Sequence, residues 1–321
     1  MAEGVAESKR FIPYQGNESI ILRALRSLEI EGNLRLVGEQ GSGKSTLVHT
    51  LKVCSDPTDS SFEEARANFP GIPWDDLNGK PWVKDGVSHL YEMSLTADTT
   101  RWDLIGTQTL SKGSTEISLG PLAEWLEDQT PEVRKVLFLD EWNYAAAGIT
   151  STMNQLADFR RSVYVSELGI LDRSRGVTDK RKIGVRFRTD DHWLIVAENP
   201  YDPIAYSGTN PPNVAQLARY PPIYLPYMSE GQEVDLLAAK AAIKKTEAQR
   251  IVQWCTAIRQ RFRSRELKMT LSPRNSLFLA RLYANSTVGK ASGWDAVMAA
   301  FVDYFPDEDK GTIRDIVSKV T

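Results

Sequence analysis

Residues 35–47, RLVGEQGSGKSTL, limit the fold of this chain more than any other stretch. Gly38, four residues, then Gly43-Lys44-Ser45 fit the phosphate-loop pattern G-x-x-x-x-G-K-[ST]. RLVG reads as a short apolar strand feeding the loop. KSTLVHTLKV behind it places Leu47, Val48, Leu51 and Val53 at positions compatible with a helix. Strand, glycine loop, helix is the context this motif requires. Amides from Gln40 to Lys44 are expected to point inward at phosphate oxygens, helped by the positive dipole end of the helix that starts there. Gly41 and Gly43 allow backbone angles and a close approach that a Cβ would block. Lys44 is expected to bridge the β- and γ-phosphates, and Ser45 to hold Mg²⁺ through its hydroxyl. The candidate nucleotide-binding set is Gly38, Gln40, Gly41, Ser42, Gly43, Lys44, Ser45 and Thr46. A chance match on a glycine-rich turn is the alternative, and the flanking pattern argues against it.

Two further strands end in polar residues. KVLFLDEWN (135–143) holds a continuous apolar run, Val136 to Leu139, as a parallel strand buried on both faces does. It ends in Asp140-Glu141, where ligands bind in open α/β sheets. Asp140 can orient the Mg²⁺ shell, and Glu141 can polarise a water for attack on a γ-phosphate. HWLIVAENP (192–200) is a second buried-strand pattern, Trp193 to Ala197, ending in Glu198-Asn199-Pro200. Asn199 can hydrogen-bond the attacking water or a phosphate oxygen; Asn-Pro is also a turn initiator in its own right.

Around these, HLYEMSL (89–95) and PIYLPY (222–227) read as strands. Residues 55–88 carry four prolines and two tryptophans with no clear period, so they read as an inserted surface excursion with one short helix near Ser61–Ala67. After Met228 helical patterns dominate. Ser229 with Gln232 forms a capping box, and Ser272-Pro273 places an N-cap and a first-turn proline, which leaves Arg274 in the first turn. A solvent-facing arginine is the plain reading of Arg274. The expected domains are residues 1–228, α/β and nucleotide-binding, and residues 229–321, a helical lid.

Composition narrows the function classes. The formal net charge of −3 argues against a mainly basic nucleic-acid binder. Cys54 and Cys255 stand far apart, and His49, His89 and His192 have no metal-ligand spacing. The polar start MAEGVAESKR lacks an apolar signal core, and no apolar run approaches the ~20 residues of a membrane helix. The expectation is a soluble cytoplasmic protein.

The motif order is phosphate loop, Asp-Glu strand, Asn-ending strand, Leu217-Ala218-Arg219-Tyr220, then a helical segment opened by Ser272-Pro273-Arg274. This order resembles the AAA+ ATPases, and within them the MoxR-type and dynein-related group. Asp140-Glu141-Trp142-Asn143 is similar to that group's DEIN or DEFN, Ala197-Glu198-Asn199-Pro200 to its ATxNP, and residues 217–220 to its LDRF. LTADTTRWDLIG (95–106) is similar to the segment after the second strand of dynein-related modules. The resemblance covers about Phe11 to Tyr283. It implies a P-loop NTPase sheet, parallel and flanked by helices, followed by a smaller all-helical lid, and an ATP hydrolase that uses ATP and Mg²⁺. By position it implies Asn199 as first sensor, Arg274 as second sensor and Arg219 as the arginine finger completing a neighbouring subunit's site, with Arg160 and Arg161 in reserve. It also implies backbone near Ile12–Gln15 holding the base, and a homo-oligomer, most simply a hexameric ring. Four features depart from the pattern: Tyr144 stands where the family commonly has arginine, the loop reads GEQGSGKST instead of GPPGTGKT, the 55–88 excursion is longer than expected, and so is the stretch before the Asn199 strand.

The long stretch before the Asn199 strand is basic, with Arg173, Arg175, Lys180, Arg181, Lys182, Arg186 and Arg188. SVYVSELGILD and KIGVRFR around it read as the arms of a hairpin over about 162–190. Three functions stay open. The chain remodels a protein client, with a von Willebrand A-type partner as in MoxR-type ATPases; or it acts on nucleic acid through the Arg173–Arg188 hairpin, as McrB-type motors and related helicases do; or it is a nucleotide-dependent switch with little turnover. Charge runs usually only solvate a loop. A GTPase is disfavoured because no N-K-x-D motif occurs. A small-molecule kinase would have no use for the Asn199 strand or the Ser-Pro-Arg lid.

Overall fold

In the computed structural model the described residues are 14, 16–74, 80–111, 114–202, 209–211, 214–286 and 293–319. The chain divides into two compact units. One is Asn17–Gly38 with Lys44–Leu225; the other is Pro226–Thr321 with Glu39–Gly43 and the N-terminal residues through Gly16. The break after Leu225 falls just ahead of the expected boundary at 228, and the glycine turn itself groups with the helical unit.

The first unit opens with helix α1 (Glu18–Glu31). The Asn17 side chain caps its first turn, accepting from Ser19 N, and Gly32 ends it at φ 67°, in the left-handed region. Strand β1 (Asn33–Val37) follows, then α2 (Lys44–Cys54), β2 (Leu90–Ser94), α3 (Pro121–Glu127), β3 (Lys135–Asp140), α4 (Ala147–Ala157), α5 (Leu168–Ser174), β4 (His192–Glu198) and β5 (Pro222–Tyr224). The five strands form one parallel sheet in the order β5-β1-β4-β3-β2. This is an α/β fold, a parallel sheet flanked by helices with a helical C-terminal region. Every residue of β1 and β4 is buried, as central strands covered on both faces must be. The short helix expected near Ser61–Ala67 runs Phe62–Ala67. Part of the 55–88 excursion, residues 75–79, lies outside the described residues; it returns with Trp82, fully buried edge-on against Trp193.

The expected basic hairpin is corrected by the structure. Only Ser162–Tyr164 and Val185–Phe187 pair, antiparallel, and ELGILD turns instead into helix α5. The reason is burial: Leu168 and Leu171, one helical turn apart, pack on the main core, which an extended arm would not allow. Two of the cations are structural. Arg186 is pinned by Asp172 (2.8 Å) and Glu127 (2.8 Å). Arg188 is buried, donating to the Gly32, His192 and Leu156 carbonyls and to Asn33, and burial lowers its pKa to about 9.

The second unit contains α6 (Glu230–Ala241), α7 (Lys245–Arg263), α8 (Pro273–Ser286), α9 (Gly293–Asp303) and α10 (Lys310–Lys319) around Trp254, Ile258, Leu279, Phe301 and Ile313. The Ser229–Gln232 capping box opens α6. Glu233, fully buried, accepts from both terminal nitrogens of Arg259 (2.7 and 2.8 Å) and from Ser276 Oγ (2.5 Å). Glu233→Ala strands a buried guanidinium and is expected to cost about 3–5 kcal/mol, read by denaturant unfolding. Replacing Glu233 and Arg259 together by methionine is expected to recover most of that loss, because no unpaired charge remains.

Candidate nucleotide site

Three strand ends deliver the polar cluster. The register sets Val37 beside Glu198 and Leu139 beside Val196, so β1, β3 and β4 terminate together. Gly38 N donates to the Glu198 carbonyl (3.2 Å), which turns the chain out of β1. Lys44, the buried first residue of α2, donates to the Gly38 carbonyl (2.7 Å) and to Asn199 Oδ1 (2.9 Å). Asn199 Nδ2 in turn donates to Glu141 Oε2 (3.1 Å). Ser45 Oγ donates to Asp140 Oδ2 (2.6 Å), and Asp140 Oδ1 accepts from the Glu141 amide (2.9 Å). Two chains of hydrogen bonds, one from Lys44 and one from Ser45, therefore meet at Glu141.

Glu141 itself adopts φ 55°, left-handed for a residue with a Cβ. Such strain persists where surrounding contacts over-determine it, and it clusters at working sites. Burial raises the Glu141 pKa above the usual carboxylate range; the Asp140 charge adds to this and Lys44 opposes it. A hydroxyl and one carboxylate, Ser45 and Asp140, fit a magnesium ion that takes its other ligands from water and phosphate. Among the described residues no cluster of three His, Cys, Asp or Glu side chains forms a fuller cage.

The glycine turn is described within the helical unit. Gly41 at φ 74° and Gly43 at φ 96° need left-handed backbone, and a Cβ on Gly41 would stand 2.5 Å from the Ser272 Cβ. Ser42 N donates to the Glu39 carbonyl (3.0 Å), and the Tyr227 hydroxyl donates to the Gln40 carbonyl (2.9 Å). Ser272, ahead of the exposed Arg274, thus lies against the turn. Thr46 lies in the first turn of α2, its carbonyl accepting from Thr50 Oγ1 (2.7 Å). Of the expected base-holding stretch, Ile12, Pro13 and Gln15 lie outside the described residues; Tyr14 is buried with its ring against Gly43.

Arg219 is not brought to this cluster. Its carbonyl accepts from the Asn33 side chain (3.3 Å), and Asn33 opens β1 at the end opposite Gly38. From Asn33 to Val37 the strand takes four steps, roughly 13 Å at ~3.3 Å per residue. Arg219 Nη1 donates to the Ala215 carbonyl, Arg160 is held by Asp158 (2.6 Å), and Arg161 by Asp190 (2.5 Å). Sequence reading passed over a buried ion pair under the site, Arg35 Nη1 to Glu198 Oε1 at 2.7 Å. Its signal was present: Arg35 stands between two leucines in NLRLV, and Glu198 closes the buried run HWLIVAE with the opposite charge.

Lys44→Ala removes a charge-assisted donor and is expected to weaken ATP binding about 10–100-fold, the equivalent of roughly 1.5–3 kcal/mol. Calorimetric titration checks this, with circular dichroism confirming the fold. Retained tight binding would refute the loop assignment.

No protein-family model matches the chain, and no curated protein matches its sequence. Solved structures do align. A provisionally assigned ATPase of Cytophaga hutchinsonii is 16% identical over 99% of this chain and 92% of its own, with a TM-score of 0.42. Two RuvB mutants of Thermotoga maritima are 12% and 13% identical, with TM-scores of 0.45 and 0.44. Both alignments cover 89% of this chain, and 70% and 69% of theirs. With identities and TM-scores this low, the functional reading rests on the geometry of this chain's own residues.

Proposed function

We propose that the chain is an ATP hydrolase of the AAA+ type that works in a homo-oligomeric ring, most simply a hexamer, and remodels a partner protein. The observation that carries the reading is the convergence of Lys44, Asn199, Ser45 and Asp140 on Glu141 at the carboxyl ends of β1, β3 and β4. In this reading Lys44 and the residues from Gly38 to Thr46 hold the triphosphate. Ser45 and Asp140 hold Mg²⁺, which offsets phosphate charge when bound. Glu141 accepts a proton from the attacking water, and Asn199 fixes both that carboxylate and the Lys44 ammonium. Arg274, in the same unit as the glycine turn, is the second sensor. Arg219 acts on the site of an adjoining copy, a role supported by its place at the opposite strand end from its own loop.

Protein remodelling, with a von Willebrand A-type partner as the resemblance implies, is preferred over a nucleic-acid motor. Arg186 and Arg188 are committed to internal partners and Arg175 to Glu127 (3.1 Å), which leaves Arg173, Lys180, Arg181 and Lys182 as the exposed remainder of the basic stretch. No helix among the described residues is long and apolar enough to cross a membrane. The deciding experiment is recovery of partners on a Glu141→Gln trap loaded with ATP. Enrichment of a defined protein supports the reading. Salt-sensitive recovery of DNA, whose phosphate contacts release counterions, would overturn it.

A further inference from the structure

Two opposite charges meet between buried strands. Arg35 on β1 and Glu198 on β4 are each 6% exposed, and Arg35 Nη1 donates to Glu198 Oε1 at 2.7 Å. The register sets Arg35 beside Val196 and Val37 beside Glu198, so the guanidinium reaches one side-chain step along the ladder to the carboxylate. Stability is a poor account of this pair. Desolvation offsets much of the attraction between buried charges, and two apolar side chains of similar volume serve a core as well or better. Arg35 Nε is also buried without a hydrogen-bond partner among the described residues, which adds to the cost.

What the pair can fix lies one residue beyond each strand. Lys44 Nζ donates to the Gly38 carbonyl (2.7 Å) and to Asn199 Oδ1 (2.9 Å). Gly38 follows Val37 at the end of β1, and Asn199 follows Glu198 at the end of β4. Both acceptors of the ammonium therefore come from the two strands that the ion pair ties. At these ends the ladder bond from Gly38 N to the Glu198 carbonyl is long, 3.2 Å. Strand ends held by little else open locally. Burial raises the Glu198 pKa, and Arg35 and then Lys44 oppose the rise, so the carboxylate lies in the field of both cations. We infer that Arg35 and Glu198 are positioning residues of the nucleotide site: their pair holds the ends of β1 and β4 together and keeps the Gly38 carbonyl and Asn199 Oδ1 at the spacing that Lys44 bridges. Asn199 Nδ2 carries the same spacing on to Glu141 Oε2 (3.1 Å). The inference rests on the reading of Lys44 and Asn199 as nucleotide-site residues.

The test separates position from stability. Arg35→Met combined with Glu198→Met leaves no unpaired charge and is expected to unfold at the denaturant midpoint of the unaltered chain or above it. Amide hydrogen exchange is followed by NMR on both chains without nucleotide. Measured against Leu36 N–H, the Gly38 N–H of the double variant is expected to exchange at least about tenfold faster than in the unaltered chain. ATP affinity, from calorimetric titration, is expected to fall about tenfold although stability does not, because a site loosened by its supporting residues loses binding and rate on this scale. A pair that serves stability alone predicts that exchange and affinity both match the unaltered chain. Unchanged relative exchange at Gly38, or an ATP affinity within about threefold of the unaltered chain, would overturn the proposal and leave the nucleotide reading standing. Absence of ATP binding by the unaltered chain would overturn the nucleotide reading and this role with it. If the double variant fails to fold, the unaltered chain decides. Its Gly38 N–H, at the end of the ladder, is expected to exchange within about tenfold of Leu36 N–H, and faster exchange would overturn the tie.

Discussion

Arg219→Ala is expected to lower turnover of the assembled protein by about 10³–10⁵-fold, the range in which an arginine finger offsets transition-state charge. Nucleotide affinity of the chain is expected to stay nearly intact, because Arg219 sits at the opposite end of β1 from Gly38 and touches none of the hydrogen bonds that end on Glu141. The main structural loss is one bond to the Ala215 carbonyl at a partly exposed position. The decisive measurement mixes Arg219→Ala with Glu141→Gln and follows phosphate release. A site with intact Glu141 can then borrow Arg219 from the other variant, so part of the activity should return. If no mixing ratio restores any turnover, the assignment in trans is wrong. Arg160 and Arg161 are then the next to replace; their carboxylate partners Asp158 and Asp190 show where each would have to be released from.

Glu141→Gln is expected to keep ATP binding and reduce hydrolysis by about 10²–10⁴-fold, the usual contribution of a positioned general base. Glutamine can still accept from Asn199 Nδ2, so the lysine–asparagine arm of the cluster should survive while the proton acceptor is lost. The wild-type pH profile carries a second signature. Burial, reinforced by Asp140, raises the Glu141 pKa, so the active carboxylate is lost at a higher pH than an ordinary carboxylate would be. The acid limb of turnover should therefore lie above the ordinary carboxylate range and disappear from the residual activity of the glutamine variant. Turnover equal to wild type would remove Glu141 from the mechanism.

Much of the fold was legible because local signals agreed with one another. The apolar runs 136–139 and 193–197 are strand-length and uninterrupted, and both became central parallel strands. Ser229-x-x-Gln232 opened a helix because side-chain capping is a local event. The basic segment misled because charge in sequence carries no record of its partner. Arg186 looks like a surface cation until Glu127, 59 residues upstream, is folded against it. The same holds for Arg35, whose partner Glu198 lies 163 residues away.

From its order of residues alone, this chain settles which strands are buried and where their polar ends fall, since burial and backbone turn chemistry depend on neighbours a few positions apart. Tertiary structure alone decides that Lys44 and Asn199, 155 residues apart, share one hydrogen bond, and that Arg219 lies at the far end of β1. Those facts depend on strand order and register, which place distant residues side by side and which no local preference encodes.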